Sequence, residues 1–322
     1  MLFRSTAGTG REEWVSPRLG PAIQGGLAAA DGRVFTGTED MVVHALALAD
    51  GRELASHPVR GQSFRMLWPV VYGGRVWVST VMTPLTGSEY IGEANTGSSL
   101  FADSPSLGEE QDNLVRWLAG DTAAGRWPDA GRDWRRLFAL AVEDLSEPFV
   151  IPAAPADGVG VPAHPPVVDQ RGRVLAYFKT HHPRLTAPVG AVFGTRESVD
   201  IAAIDPATGR RVPIDNGHLA NLWPWETDNL YGLSVAGSQL WLRQNFRGTQ
   251  VLDLDASAGR GVTAEIRSRD GGVFNFDVVY KEIGRPVRTP QTPTLGRTAP
   301  AIVGGRVFLA EEWGVTVLEH RP

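Results

Sequence analysis

Hydrophobic and polar residues alternate along much of this chain, and short glycine turns interrupt the alternation. The stretch DGRVFTGTEDMVVHALALADGRELAS, residues 31–56, contains two strand-like runs and two such turns. A period of two residues is typical of half-buried β-strands, because successive side chains point to opposite faces of a sheet. The pattern therefore predicts β-hairpins.

A strand-turn-strand unit of this kind occurs five times. Its five turns contain Gly32, Gly74, Gly172, Gly237 and Gly305, and glycine suits a tight turn that needs positive φ. Four copies are followed by a second hairpin, so each unit is predicted to have four strands. Four-stranded antiparallel units in series predict an all-β protein, a β-propeller of about five blades that forms a single domain over residues 1–322.

The two ends of the chain leave two interpretations open. The last unit has three predicted strands, whereas residues 2–15 predict a third strand, a turn and a fourth strand. In one interpretation, the strand at residues 12–15 completes the last blade and closes the ring. In the other, the chain is a piece of a longer propeller that is cut within a blade.

The third-to-fourth turns resemble a known repeat. STAGTGREEW, ALALADGRELA and AAIDPATGRRV are similar to the Ala-x-Asp-x-x-Thr-Gly-x-x-x-Trp repeat of pyrroloquinoline-quinone-like (PQQ-like, quinoprotein-type) β-propellers, with Gly10, Gly51 and Gly209 at the glycine. The tryptophan of the repeat is present only as Trp14. Its equivalents in the later units are Ala55, Pro213 and Thr263.

The resemblance implies a fold and a location, and the residues do not extend it to a cofactor. Quinoprotein dehydrogenases stack their cofactor on a vicinal cysteine pair, which this cysteine-free chain cannot have, and their calcium ligands have no match here. No cofactor is therefore predicted. The family implies a periplasmic or extracellular address, although residues 1–14 lack the apolar centre of a signal peptide.

Composition excludes several classes of function. The net charge is -5, without a basic patch, which argues against a nucleic-acid partner. No apolar run approaches the length of about 18 residues that a membrane span needs. The absence of cysteine excludes disulfides, thiolate metal sites and cysteine nucleophiles. Only two of the 31 basic residues are lysines, a composition typical of a GC-rich bacterial genome.

The predicted long loops all emerge on one face of the propeller. That face carries the second-to-third loops and the blade-to-blade connections, among them residues 83–135, 180–198, 215–230 and 268–298. Long loops on a rigid scaffold are where binding residues concentrate. Leu114, Val115 and Leu118 have helical spacing and predict a short helix in the first insertion. This helix either covers the channel mouth or buries an apolar edge, and the second role is favoured.

The candidate ligand-binding residues are the polar and aromatic side chains predicted near this face, namely Glu39, Asp40, His181, His182, Trp225, Glu226, Asn245, Arg247, Glu311, Glu312 and Trp313. Trp225, Arg247 and Trp313 are the predicted anchors, because aromatic and arginine side chains dominate binding energy. The adjacent His181 and His182 lack the spacing of a chelating pair, so no metal site is predicted. No nucleophile elbow or phosphate-binding glycine loop is present.

These observations favour a non-catalytic propeller that binds a protein segment or a carbohydrate at its long-loop face. The alternative is a polysaccharide hydrolase or lyase that uses carboxylates around the channel mouth, since that chemistry needs two carboxyl groups across one bond. A third possibility is an incomplete fragment of a larger propeller. The ligand and the oligomeric state are not predicted.

Overall fold

The computed structural model describes most of the β-strands of the chain and parts of their connections. The described residues are 2–21, 25–59, 64, 68–80, 112, 116, 137–151, 165–180, 197–222, 230–244, 248–255, 262–266, 300–311 and 314–319. Among these residues, no helix is long and apolar enough to cross a membrane.

Twenty β-strands follow one another along the described chain. In order, they are β1 (Phe3–Ser5), β2 (Glu12–Val15), β3 (Ala28–Ala30), β4 (Arg33–Gly37), β5 (Val42–Ala47), β6 (Glu53–Pro58), β7 (Val70–Tyr72), β8 (Arg75–Ser79), β9 (Leu137–Ala141), β10 (Val167–Val168), β11 (Val174–Thr180), β12 (Glu197–Ile204), β13 (Arg211–Leu222), β14 (Leu230–Ala236), β15 (Gln239–Gln244), β16 (Gly248–Asp253), β17 (Val262–Ile266), β18 (Ala301–Val303), β19 (Arg306–Glu311) and β20 (Gly314–Glu319).

The strands form antiparallel sheets in which each strand pairs with the next one in sequence. Blade 1 is β3–β6, blade 2 is β7–β9, blade 3 is β10–β13, blade 4 is β14–β17 and blade 5 is β18–β20. The first strands of neighbouring blades lie side by side, as β3 does with β7, β10 with β14, and β14 with β18. This radial order of meandering sheets is that of a β-propeller, which confirms the predicted fold.

The hydrophobic core is divided into layers between successive blades. Phe35 and Val43 of blade 1 pack with Phe138 of blade 2 in one layer. Trp77 of blade 2 packs with residues of blade 3, including Val174, in the next. A third layer joins blades 3 and 4. Each inner blade therefore buries both faces, which explains why its strands contain continuous apolar runs.

The turns between first and second strands agree with the sequence prediction. Gly32, Gly74, Gly172, Gly237 and Gly305 all have positive φ, between 60° and 76°. This left-handed conformation is strained for residues with a Cβ atom. The predicted hairpin positions are therefore confirmed.

The third-to-fourth turns share a hydrogen-bonding pattern that depends on short polar side chains. In blade 2, the Ser146 hydroxyl donates to Asp144 at 2.6 Å and lowers the pKa of that carboxyl group, with help from the Ser146 amide. In blade 3, Thr208 donates to Asp205 at 2.7 Å and the Ala207 amide donates as well, which lowers the pKa of Asp205 in the same way. These aspartates fix the turns and are not a site.

Aromatic residues connect successive units through these turns. The indole N–H of Trp14 donates to the Leu48 carbonyl at 3.0 Å, and its ring lies so close to Gly51 that an added Cβ would be 2.4 Å from Cε3. Phe149 has the same relation to Gly209, again at 2.4 Å. Phe149 therefore performs the docking role that the sequence analysis recognised only for Trp14.

In blade 2, the turn position that is glycine elsewhere holds a large residue, and the residue equivalent to the docking tryptophan is small. Its turn has Leu145 where the other turns have glycine, with φ of 61° and the same amide bond to the residue four positions earlier. Leu145 is completely buried, and Ala55, which stands where Trp14 stands in its own unit, packs against the same cluster. In this layer the turn position holds the large residue and the position equivalent to Trp14 holds the small one, the opposite of Gly51 and Trp14.

Two details differ from the predicted four-stranded pattern. The predicted fourth strand of blade 2 is not assigned as a strand in residues 146–151, because Pro148 has no amide hydrogen for a sheet ladder. Residues 3–15 form the predicted third strand, turn and fourth strand. However, β2 pairs with β1 in a separate two-stranded sheet, and the described part of β20 pairs only with β19.

Candidate functional site

The long-loop face is the side of the propeller that carries the second-to-third loops and the blade-to-blade connections. Of the predicted site residues, Glu39 and Asp40 lie there in the tight turn between β4 and β5, and both are exposed. Glu311 is the last residue of β19, opposite Gly314. The other predicted residues lie outside the described residues, namely His181, His182, Trp225, Glu226, Asn245, Arg247, Glu312 and Trp313.

A tryptophan that the sequence analysis did not select lies at the inner part of this face. Trp68 immediately precedes Pro69 and β7, the innermost strand of blade 2, and its ring covers Gly26 just before β3 of blade 1. A Cβ at Gly26 would lie 2.0 Å from Cε3 of Trp68, so only glycine leaves room for the indole. Trp68 nevertheless remains 53% exposed, and the neighbouring Leu27 is 52% exposed.

This arrangement presents an aromatic surface between two blades near the axis. The ring is supported from below by backbone, and about half of its surface remains accessible to solvent. Flat aromatic surfaces of this kind pack against sugar rings and against apolar side chains. Trp68 is therefore the described residue on the long-loop face that is best placed to contact a ligand.

Asp40 is held by a chain of polar side chains that runs through blade 1. The Thr38 hydroxyl lies 2.5 Å from Asp40 Oδ1 and 3.1 Å from His44 Nε2. On the other side of the imidazole ring, His44 Nδ1 lies 2.7 Å from Glu53 Oε1 on β6. Thr38 and His44 are buried, and an added Cβ at Gly20 would lie 3.0 Å from Thr38. The turn that carries Asp40 is therefore fixed from within the blade.

The hydroxyl of Thr36 has a different environment from that of Thr38. Thr36 is completely buried on β4, and its Oγ1 has no hydrogen-bond partner among the described residues. We expect Thr36→Val to stabilise the protein by about 1 kcal/mol, because valine has nearly the same shape and removes an unsatisfied buried hydroxyl. Chemical denaturation measures the change. Thr38→Val is the matched control and should destabilise, so stabilisation by both substitutions would contradict the assignment.

The insertion in blade 2 approaches the opposite face in its described part. Asp112 and Arg116 are the described residues of this insertion, and both have helical backbone, whereas Leu114, Val115 and Leu118 of the predicted helix lie outside the described residues. Asp112 accepts a hydrogen bond from Arg210 at 2.6 Å, and Arg210 lies in the third-to-fourth turn of blade 3. The third-to-fourth turns emerge on the face opposite to the long-loop face. The contact places Asp112 beside the third-to-fourth turn of blade 3.

Asp169 is an example of a carboxylate with a structural role. Asp169 is buried, accepts two backbone amides and pairs with Arg173 at 2.6 Å in a first-to-second turn. Within the described ranges, no three histidine, aspartate or glutamate side chains are grouped in a way that would hold a metal ion. The described part of the candidate site therefore contains an exposed aromatic surface at Trp68 and a fixed carboxylate at Asp40.

Sequence reasoning missed Trp68, and also the role of the chain from Thr38 to Glu53. A Trp-Pro pair directly before an innermost strand was available as a signal for Trp68. The matching Gly26 lies 42 positions earlier and is recognisable only when the two blades are side by side.

Comparison with known proteins agrees with the repeat that the sequence indicated. Residues 4–114 match a PQQ-type family model described as outer membrane protein assembly factor BamB. This segment includes the Trp14–Gly51 contact and the turn that carries Asp40. No curated protein matches the chain.

Several solved structures are similar to most of the chain at low sequence identity. A computationally designed protein, Ika8, is 11% identical with a TM-score of 0.43, and the match covers 97% of this chain and 63% of the designed one. BamB from Moraxella catarrhalis is 11% identical with a TM-score of 0.41 and is covered to 77% of its length, against 98% of this chain. A quinohemoprotein alcohol dehydrogenase from Pseudomonas putida is 13% identical with a TM-score of 0.38, over 81% of this chain and 36% of the enzyme.

These matches cover different shares of the relatives. The chain spans less than two thirds of the designed protein and about a third of the dehydrogenase. The sheets, the docking contacts and the family match agree on the type of repeat. The chain is a β-propeller whose residues 4–114 are similar to the PQQ-type repeats of the family described as outer membrane protein assembly factor BamB.

Proposed function

We propose that this propeller is a non-catalytic scaffold that binds a protein segment or a carbohydrate at its long-loop face. The observation that supports this function best is Trp68, which lies over Gly26 between two innermost strands and is 53% exposed. A rigid, half-exposed indole supplies contact area at little cost in conformational entropy. Trp225, Arg247 and Trp313 are proposed as further anchors around the same face.

The family match supports the protein-binding form of this proposal and a location outside the cytoplasm. The matched family is described as an assembly factor of the outer membrane, so a partner that is itself a protein is the first to test. We propose a periplasmic or outer-membrane-associated location on the same ground. Asp40, held at the edge of the face, supplies a negative charge that favours ligands with a cationic or hydrogen-donating group.

Binding is tested with two sets of probes on the 322-residue chain, a displayed library of random peptides and an array of oligosaccharides. Trp68→Ala is expected to weaken binding of any selected probe about tenfold or more, which corresponds to about 1.4 kcal/mol. Gly26→Ala should also weaken it, because the new methyl group displaces the indole. Titration calorimetry measures both effects.

Leu54→Ala is the matched control, because Leu54 is an exposed apolar residue on the outermost strand of blade 1 and should not contact the ligand. Binding that is unchanged by Trp68→Ala and by Gly26→Ala would remove the proposed site. Release of reducing ends from the oligosaccharides would instead support a polysaccharide hydrolase.

A further inference from the structure

The polar chain in blade 1 connects the outermost strand of the blade to the long-loop face. It begins at Glu53 on β6, crosses the buried His44 and Thr38, and ends at Asp40 in the exposed turn. Its three contacts are 2.7, 3.1 and 2.5 Å long, all within hydrogen-bonding distance. Each contact needs one proton between its two heavy atoms.

The number of protons shared by Glu53, His44, Thr38 and Asp40 determines the total charge of these four side chains. With both carboxylates ionised and the imidazole neutral, the chain contains two suitable protons, one on the Thr38 hydroxyl and one on the His44 ring. Three contacts therefore require one additional proton. If it were absent, one of the three contacts would bring two lone pairs together, and the tautomer of His44 and the rotamer of the Thr38 hydroxyl would decide which one. The Val42 carbonyl is a longer alternative acceptor for Thr38, at 3.3 Å.

We infer that His44 holds this proton as an imidazolium and positions Asp40 on the long-loop face. In this arrangement Nδ1–H donates to Glu53, Nε2–H donates to Thr38, and the Thr38 hydroxyl donates to Asp40. Imidazole is the side chain that takes up a proton between about pH 5 and 8. A buried cation is costly unless it is paired, and here carboxylates stand at both ends of the chain.

Two arginines near blade 1 have partners outside this group of side chains. Arg33 on β4 donates to the Glu143 carbonyl at 2.9 Å, and Arg4 pairs with Glu13 at 2.8 Å. Glu39, next to Asp40, is exposed. Among the described residues, Asp40 is the ionisable group hydrogen-bonded to Thr38, and Glu53 is the one hydrogen-bonded to Nδ1 of His44.

Loss of this proton removes one of the three bonds. Glu53 retains the ring proton on Nδ1, because that contact is the shorter of the two made by His44, so Nε2 becomes an acceptor. The Thr38 hydroxyl then turns from Asp40 to His44, and the Asp40 carboxylate is released. The part of this inference that concerns ligand binding rests on the proposed function, whereas the protonation state does not.

The test uses nitrogen-15 NMR of the full chain without any ligand. The chain has seven histidines, and His44 is identified as the signal that is absent from His44→Gln. Spectra are recorded in steps between about pH 5 and 8, the range in which imidazole side chains take up a proton. The inference requires a state in which both ring nitrogens of His44 are protonated, and loss of the additional proton should leave only Nδ1 protonated. The backbone amide shifts of Asp40 and Met41 should follow the same titration curve.

Three variants distinguish a role of His44 in positioning Asp40 from a purely structural role in blade 1. Thr38→Ser keeps the hydroxyl and should keep the coupling between His44 and the Asp40 amide, whereas Thr38→Val should abolish it. His57 also lies on β6 but makes none of these three hydrogen bonds, so His57→Gln should leave the coupling unchanged. A neutral His44 ring throughout this pH range would overturn the inference, as would an Asp40 titration that is identical in Thr38→Val.

The proposed scaffold function and the inference about His44 can each be contradicted without the other. A titrating His44–Asp40 pair in a protein that binds none of the probes would contradict the scaffold function and keep the inference. Binding that depends on Trp68 in a protein whose His44 is neutral would do the reverse.

Discussion

Replacing Gly51 with alanine is expected to lower the free energy of unfolding by about 2–5 kcal/mol, whereas the same substitution at Gly32 should cost only about 1–2 kcal/mol. Both glycines have left-handed backbone, with φ of 72° and 71°, so the conformational penalty is shared. They differ in their surroundings. A Cβ at Gly51 would lie 2.4 Å from the Trp14 ring, whereas one at Gly32 would have nothing within 4 Å.

Urea denaturation of the two variants measures this difference. The loss at Gly51 beyond the loss at Gly32 is the cost of displacing Trp14 from its docking position. Tryptophan fluorescence should change with Gly51→Ala and not with Gly32→Ala. Equal losses of stability in the two variants would mean that the contact between the N-terminal hairpin and blade 1 contributes little.

Leu145→Gly is expected to destabilise the protein by about 2–5 kcal/mol, reduced by the release of strain at its positive φ. Leu145 is completely buried in the layer between blades 1 and 2, and Ala55 packs against that layer. Ala55→Trp alone should also destabilise, by about 1–3 kcal/mol or more, because no space is available for the ring. Together the two changes recreate the arrangement of Trp14 on Gly51.

The double variant should therefore be more stable than the sum of the two single changes predicts, by at least about 1 kcal/mol. Ala55→Trp combined with Leu46→Ala provides the control, since Leu46 is an equally buried leucine outside that cluster and should give additive losses. Additive losses for Leu145→Gly as well would show that Ala55 and Leu145 do not form a docking pair.

The two docking arrangements explain why the repeat was only partly visible in the sequence. Trp14 and Gly51 match the repeat directly, and their positions follow from the pattern. Phe149 was overlooked because its turn contains Leu145 and not glycine, so the turn itself was not recognised as a docking site. A pair that exchanges its large and small members preserves the volume between two blades and loses the sequence motif.

Few of the residues selected from the sequence for the candidate site lie among the described residues. The sequence placed the long loops on one face and selected Glu39 and Asp40 in its turn, where the structure also has them. Most of the other selected residues lie outside the described residues and stay predictions. Trp68 was not selected, because its exposure depends on Gly26 in the neighbouring blade.

The sequence by itself determined the β-propeller, its PQQ-type repeat and the glycine turns, because these depend on local alternation and on backbone conformations that neighbouring residues specify. Only the tertiary structure decided which side chains meet between blades. Trp68 over Gly26 and Phe149 over Gly209 each join residues of two successive units, 42 and 60 positions apart in the sequence. Such contacts arise from the packing of one sheet against the next, which no local pattern encodes.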